Sequence, residues 1–331
     1  MIRSYIRLSL LVLLTGCTGI TVYSPSESES GYTYIPLDPF PVHIKGGMAC
    51  TETDTLTRKL LLEALPDNAV RMLTERFDSS GTVTYGTSKV SGTGESYRVT
   101  IDYIYSDTMN RQLFISKSVM ATSTSKDGIE KTERTIVPIG STPPFSYLTG
   151  SEEYRITSES PLDPRHDKSF GDEVHAEWRR FNKEYTEYSV PVYVGLGLRV
   201  AANIYATTGK ANISGLGIIG AEAEAGNLKG SLVIQTLGVN GRAIAAALPI
   251  QSELNRTTVQ NAISAVGAIK ALLHAEETWV APRVVGLYLP FPGGKPLVNA
   301  IISELSKQEI VWKYSCFGRS AKLEPIRPDV R

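Results

Sequence analysis

The longest regular pattern in the sequence is an alternation of apolar residues with small or polar residues over positions 190–210. A period of two places alternate side chains on opposite faces of an extended chain. The pattern therefore predicts one long β-strand with a single buried face, and glycines on the other face permit close approach of backbone. The apolar positions are Val192, Val194, Leu196, Leu198, Val200, Ala202 and Ile204, and the opposite positions are Tyr193, Gly195, Gly197, Arg199, Ala201, Asn203 and Tyr205.

Two environments can cover this apolar face. One is a protein core, in which the sheet packs beneath two helices predicted later in the chain. The other is lipid, as in oligomeric pores to which each subunit contributes strands, because about 9–11 tilted residues cross a bilayer and 190–240 could form such a hairpin. Leu216, Ile218 and Ile219 interrupt the alternation in the second arm. We therefore favour a protein core and keep the pore as an alternative.

The first 17 residues have the pattern of a secretory signal. Arg3 and Arg7 form a basic region, an apolar run follows over 8–14, and small residues come directly after it. The apolar run is much shorter than the ~20 residues of a membrane-spanning helix. We therefore expect 1–16 to be removed from the mature protein.

The signal ends in Leu14-Thr15-Gly16-Cys17, which resembles the lipobox of bacterial lipoproteins. The resemblance implies cleavage before Cys17, acylation of that cysteine with fatty acids such as palmitate, and a lipid bilayer as the partner of the anchor. Thr18 stands where an aspartate would favour the inner membrane, so the resemblance implies the outer membrane. An ordinary secreted protein with a cysteine in its signal peptide is the alternative.

Shorter elements are predicted along the rest of the chain. Asp54 as an N-cap favours a short helix over 54–64. Pro66 at an N-terminal helical position favours a second short helix over 66–77. Segments rich in Thr, Val, Ile and Tyr between turn sequences predict an antiparallel meander, with strands over 81–90, 96–105, 111–124 and 130–139. Apolar residues at helical spacing predict amphipathic helices over 255–277, capped by Asn255, and over 293–308.

These elements predict an α+β fold, in which an antiparallel β meander is followed by a long-stranded sheet packed under amphipathic helices. A segment dense in Pro, Ser and charge predicts a linker or long surface loop, and residues after Cys17 are too polar to fold alone. The predicted division is a signal peptide over 1–16, a lipid anchor and flexible tether over 17–40, an N-terminal α+β lobe over 41–137, the linker over 138–172, and a C-terminal α+β lobe over 173–331.

Charge and cysteine content restrict the partners. The chain has 34 basic and 34 acidic residues, and a near-neutral body lacks the basic surface of a nucleic-acid binder. With Cys17 acylated, Cys50 and Cys316 remain in an oxidising compartment. We therefore predict that a disulfide joins them, with two separate buried thiols as the alternative. Two cysteines alone make a weak metal site.

Sequence motifs for catalysis and metal binding are weak. Ser123-Thr124-Ser125-Lys126 matches the S-x-x-K spelling of penicillin-binding proteins, but it leaves a predicted strand instead of opening a helix. His166, Asp172 and His175 lack the i, i+4 spacing of helix-borne zinc sites. We therefore predict no cofactor, no metal and no catalytic residue.

The sequence thus predicts a membrane-anchored periplasmic lipoprotein that acts as a non-enzymatic binding or structural module of the envelope, with an envelope protein as an unidentified partner. Two alternatives stay open. One is a subunit that contributes a β-hairpin to an outer-membrane secretion or pore assembly, and the other is an unrecognised envelope hydrolase.

Overall fold

Strands dominate the part of the chain that the structure describes. The computed structural model describes residues 22–23, 33–47, 58–65, 67–77, 83–86, 89–124, 130–137, 152–164, 169, 171–240, 251–273, 278–289 and 295–314. Of these residues, 54% lie in strands and 27% in helices. The predicted α+β class is therefore wrong, because the fold is mostly β and is organised around one large sheet with short helices.

The bounds of the elements are as follows. The strands are β1 (Val22–Tyr23), β2 (Thr33–Pro41), β3 (His43–Gly46), β4 (Asp67–Phe77), β5 (Val83–Tyr85), β6 (Ser96–Thr124), β7 (Glu130–Val137), β8 (Glu153–Thr157), β9 (Thr186–Ala206), β10 (Leu228–Leu237), β11 (Val239–Asn240), β12 (Gln251–Glu253), β13 (Trp279–Val280), β14 (Arg283–Leu289) and β15 (Val311–Tyr314). The helices are α1 (Arg58–Glu63), α2 (Asp172–Glu184), α3 (Leu216–Glu224), α4 (Arg256–Leu272) and α5 (Lys295–Lys307).

The large sheet has 11 strands, and its main path runs β1-β4-β6-β9-β10-β12. β5 pairs with β4, while β7 and β8 pair with β6. β14 pairs with both β9 and β2, so β2 joins the sheet through β14. Within this sheet, all pairings are antiparallel except that of β1 with β4. Two further sheets, β11 with β13 and β3 with β15, have two strands each.

The two longest strands form the centre of the sheet. Residues 96–115 of β6 pair with residues 205–186 of β9 in an antiparallel register. The even-numbered apolar face of β9 is 0–4% exposed. This face belongs to one hydrophobic cluster with Ile219 of α3, Val259 of α4 and Ile301 of α5. The predictions of a long strand with a buried face and of two late helices packed against the core are confirmed.

Two local predictions failed in the N-terminal part. Residues 67–77, predicted as a helix, form β4 and pair with residues 106–96 of β6. A short apolar run fits helix and strand periods equally well, and here pairing with a long neighbour determines the outcome. The predicted strands 96–105 and 111–124 are the single strand β6. The intervening sequence SDTMN contains neither Gly nor Pro, and β9 pairs across it.

The predicted division of the chain also changes at two places. Residues 33–40, assigned to the flexible tether, form most of β2, and Tyr34, Ile35 and Leu37 are buried. The three prolines of β2 are compatible with a strand at the edge of a sheet. β8 lies within the predicted linker 138–172. Because β6 and β9 pair along most of their length, the two predicted lobes meet in one continuous sheet.

Strands β2 and β14 cover the odd-numbered face of β9 along the first half of that strand. β14 extends the sheet beside Val192–Gly195, and β2, paired with β14, contacts β4. Together these strands enclose a second, smaller hydrophobic cluster, formed by Tyr34, Ile104, Tyr193, Leu237 and Val285. Charged residues lie next to this smaller cluster, and they form the site described below.

Candidate functional site

Three charged residues lie side by side on the face of the sheet that carries the odd-numbered residues of β9. Arg71 on β4 is the register partner of Asp102 on β6, and Asp102 is the register partner of Arg199 on β9. All three are buried, with Arg71 at 9%, Asp102 at 0% and Arg199 at 6% exposure. Buried charges are rare unless they are paired and hydrogen-bonded, so these residues are the strongest candidates for a special role.

Arg199 connects four strands. Its Nε and Nη2 atoms donate to the two carboxylate oxygens of Asp102, each at 2.7 Å. Nη1 donates to the carbonyl oxygen of Leu37 on β2 at 2.7 Å, and Nη2 also donates to that of Val285 on β14 at 2.9 Å. The planar guanidinium suits such a two-pronged carboxylate contact. Burial acts to lower the pKa of Arg199, but the hydrogen bond to Asp102 and the negative charge of that carboxylate together outweigh it and raise the pKa.

Tyr34 completes the group from β2. Its hydroxyl donates to Asp102 Oδ2 at 2.5 Å. Burial first, and then the negative charge of Asp102, raise the pKa of Tyr34 well above its usual value. The phenol therefore stays protonated and donates. The ring lies over Gly286 of β14, where a Cβ atom would collide with it. Glycine is thus required at this position, where the register of β14 shifts.

Arg71 lies against aromatic rings. Its guanidinium carbon is 4.0 Å from the centroid of the Tyr193 ring and 5.9 Å from that of Tyr34. Its Nη1 atom is 3.5 Å from the hydroxyl oxygen of Ser106. Tyr288 approaches Tyr193 edge-on, with ring centroids 6.2 Å apart. These contacts place a cation over aromatic faces, an arrangement worth up to ~2 kcal/mol when desolvated.

We call the group Arg71, Asp102, Arg199 and Tyr34 the charged cluster. Its hydrogen bonds hold neighbouring strands together. Arg199 donates to three different strands and remains protonated, because guanidinium groups do not act as bases in proteins. Asp102 accepts three hydrogen bonds. The cluster therefore connects β2 and β14 to the centre of the sheet.

A second polar group closes the turn before β6. The carboxylate of Glu95 accepts hydrogen bonds from the backbone N–H groups of Ser91 and Gly92 and from the Tyr97 hydroxyl. Arg76 contacts the same carboxylate at 2.9 Å. Although burial acts to raise the pKa of Glu95, the hydrogen bonds from Tyr97 and Ser91 lower it. These hydrogen bonds and the ion pair stabilise the turn.

The residues predicted from the sequence as sites lie elsewhere. Cys17, Cys50 and Cys316 are outside the described residues, as are His166 and Lys126. Asp172 and His175 are on α2. In the described ranges, no group of three or more His, Cys, Asp or Glu side chains could hold a metal ion, and no helix is both long and apolar enough to span a membrane.

The strands that lead to the two remaining cysteines are neighbours. β3 and β15 pair in parallel with Gly46 opposite Tyr314, and the Gly47 N–H donates to the Tyr314 carbonyl oxygen at 2.8 Å. Cys50 is three residues beyond Gly47, and Cys316 is two beyond Tyr314. Because the paired strands run in the same direction, Gly47 and Tyr314, the last described residues before the two cysteines in sequence, lie at the same end of the small sheet.

We therefore expect Cys50 and Cys316 to form a disulfide. Protein purified without reductant and unfolded in the presence of an alkylating reagent should leave both thiols unmodified, and reduction should make both reactive. Removal of the bridge as a Cys50→Ala, Cys316→Ala pair should lower the free energy of unfolding by about 2–5 kcal/mol, since the closed loop is long. Alkylation of both cysteines before reduction would contradict the prediction.

Sequence reasoning missed the charged cluster. The alternation places Arg199 on the polar face of β9, but its partner Asp102 lies 97 residues earlier in the chain. Tyr34 stands in a segment whose polar composition predicts a tether. The available signal was a lone arginine in the middle of a strongly apolar strand, between Gly197 and Ala201, where a charge requires a partner.

Comparisons with family models, with curated proteins and with solved structures found no match to this chain.

Proposed function

We propose that this chain is a bacterial lipoprotein, anchored in the outer membrane through acylated Cys17, and that its body is a non-enzymatic binding or structural module of the envelope. The observation that carries the proposal is the run of apolar residues that ends in Leu14-Thr15-Gly16-Cys17. Two or three acyl chains on one cysteine give stable membrane attachment, whereas a single chain gives only a marginal hold.

The charged cluster supports the non-enzymatic part of the proposal. Strongly perturbed buried groups are candidates for catalysis, but ion-pair networks that hold a fold perturb them as well. Here Arg199 donates to the carboxylate of Asp102 and to backbone carbonyl oxygens of β2 and β14. The perturbed phenol of Tyr34 donates to the same carboxylate. Each of these groups is occupied in joining strands.

We do not propose that this chain contributes a hairpin to a pore. Membrane insertion of a β9–β10 hairpin would expose the even-numbered face of β9 to lipid. That face is packed in the cluster that includes α3 and α4. In addition, β9 and β10 are joined through α3 and not by a tight turn.

The anchor is tested by metabolic labelling with a clickable fatty-acid analogue. We expect the parent protein to carry the label and to sediment with outer membranes, and Cys17→Ala to lose both properties. Cys50→Ala is the matched control, because it removes a cysteine outside the lipobox, and it should keep the label. Equal labelling of Cys17→Ala and the parent would contradict the proposed anchor.

The non-enzymatic role is tested separately on purified protein. We expect no turnover of peptidoglycan fragments or of envelope peptides above a buffer control. Turnover that survives purification and disappears in a point variant would overturn this part of the proposal and leave the anchor intact.

A further inference from the structure

Two consecutive strands near the N-terminus take their partners from the end of the chain. Thr33–Pro41 of β2 pairs with Leu289–Arg283 of β14, and His43–Gly46 of β3 pairs with Val311–Tyr314 of β15. We call residues 33–47 the strap. The pairing partners of the strap are more than 240 residues away in sequence, although it is the first long described segment after the lipobox.

Side chains fasten the first half of the strap to strands with which it does not pair. The Tyr34 hydroxyl donates to Asp102 on β6, and Arg199 on β9 donates to the Leu37 carbonyl oxygen at 2.7 Å. Tyr34, Ile35 and Leu37 are at most 4% exposed. The strap therefore covers the charged cluster, and the cluster in turn holds the strap.

The second half of the strap is fastened through β15. The His43 N–H donates to the carbonyl oxygen of Ile310, and the Gly47 N–H donates to that of Tyr314, each at 2.8 Å. Trp312 of β15 is 1% exposed, and its indole N–H donates to Asp107 of β6 at 2.8 Å. A chain of contacts thus runs from the strap through β15 to the central strand.

We propose that the strap is a separate closing unit, which docks last onto a sheet formed by β4, β6, β9 and β10 and opens while that sheet stays folded. Pairing across so long a sequence separation carries a larger loop-closure cost than the more local pairing of the central strands, so we place it later in folding. Among the described pairings, β2 has a strand partner only on its β14 side. Segments with few partners open at lower free energy than the core does.

The strap gives the proposed anchor a defined connection to the body. Only residues 18–32 separate Cys17 from the strap in the sequence. Within that stretch β1 pairs with β4, so the chain that follows the proposed anchor joins the body first at β1 and then at the strap. This consequence rests on the proposed function, whereas the closing unit itself rests on the contacts alone.

Native-state hydrogen exchange of the full-length protein in detergent, followed by mass spectrometry at increasing guanidinium, tests the proposal. We expect amides in 33–47 to lose protection at lower denaturant than amides in 96–115 and 186–206. Tyr34→Phe should speed exchange of the strap about tenfold or more, because a hydrogen bond to a charged group is lost. Tyr205→Phe is the control, since Tyr205 is 50% exposed, and it should change neither region.

A core variant separates strap opening from global unfolding. Ile234 on β10 is 6% exposed and belongs to the main hydrophobic cluster. Ile234→Val should speed exchange of the core amides severalfold and leave that of the strap unchanged, because β10 stays folded when the strap opens. Equal acceleration of both regions, or loss of protection at the same denaturant concentration, would overturn the proposal. Full-length Cys17→Ala should behave identically, so failure of the anchor does not affect this test.

Discussion

We expect Arg199→Met to lower the free energy of unfolding by about 3–5 kcal/mol. The substitution removes the bidentate partner of Asp102, whose side chain is fully buried. A carboxylate left in that position has lost its main compensation, and removal of one partner of a buried ion pair typically costs this much. The hydrogen bonds that hold the carbonyl groups of Leu37 and Val285 are lost in the same step.

Chemical denaturation of the full-length protein measures this effect. Arg98→Met is the matched control, because Arg98 lies four residue pairs away on β6, is exposed, and donates to Asn203 at 3.1 Å. The control should change stability by less than about 1 kcal/mol. Adding Asp102→Leu to Arg199→Met should recover part of the loss, since the buried carboxylate that lost its bidentate partner is then removed as well. A loss for Arg199→Met as small as that of the control would contradict the role assigned to the cluster.

Leu198→Asp should destabilise the protein by at least ~3 kcal/mol. Leu198 is 1% exposed and lies on the even-numbered face of β9 within the main hydrophobic cluster. The substitution deletes buried apolar volume and puts a carboxyl group among apolar side chains, and both changes are costly. We expect the thermal transition of purified protein to be lost or to shift strongly to lower temperature.

The control for this variant lies at the end of the same strand. Tyr205→Asp introduces the same carboxylate at a position that is 50% exposed, and it should cost less than about 1 kcal/mol. The protein used should retain residue 33 onward, because β2 belongs to the sheet. An unchanged transition for Leu198→Asp, together with loss of membrane insertion, would instead favour the pore-forming alternative.

The sequence predicts best where a pattern is long and one-sided. The alternation over 190–210 correctly locates β9 and its buried face, and Asn255 caps α4 through its side chain as expected. Short apolar runs do not carry that information, so the run over 66–77 predicts a helix where the structure has β4. Its partner β6 supplies the pairing that decides the structure, and it follows later in the chain.

The charged cluster could not be predicted for a related reason. Its members come from β2, β4, β6 and β9, and only the register of these strands brings them together. The alternation predicts the polar face of β9, but it does not predict that β2 and β14 cover that face. The polar composition after Cys17 likewise predicts a tether over 17–40, although pairing with β14 and burial of Tyr34 make residues 33–40 part of the sheet.

The mass of the mature N-terminal peptide tests the central claim most directly. Trypsin cuts after Lys45, and between Cys17 and Lys45 the chain contains no other Lys or Arg. For protein isolated from its native membrane, we predict a peptide over 17–45 that begins at Cys17 and carries the mass of a diacylglyceryl group, with or without a further acyl chain. An unmodified peptide over 8–45, or a mature N-terminus at any other residue, would contradict the account of this chain as a lipid-anchored protein.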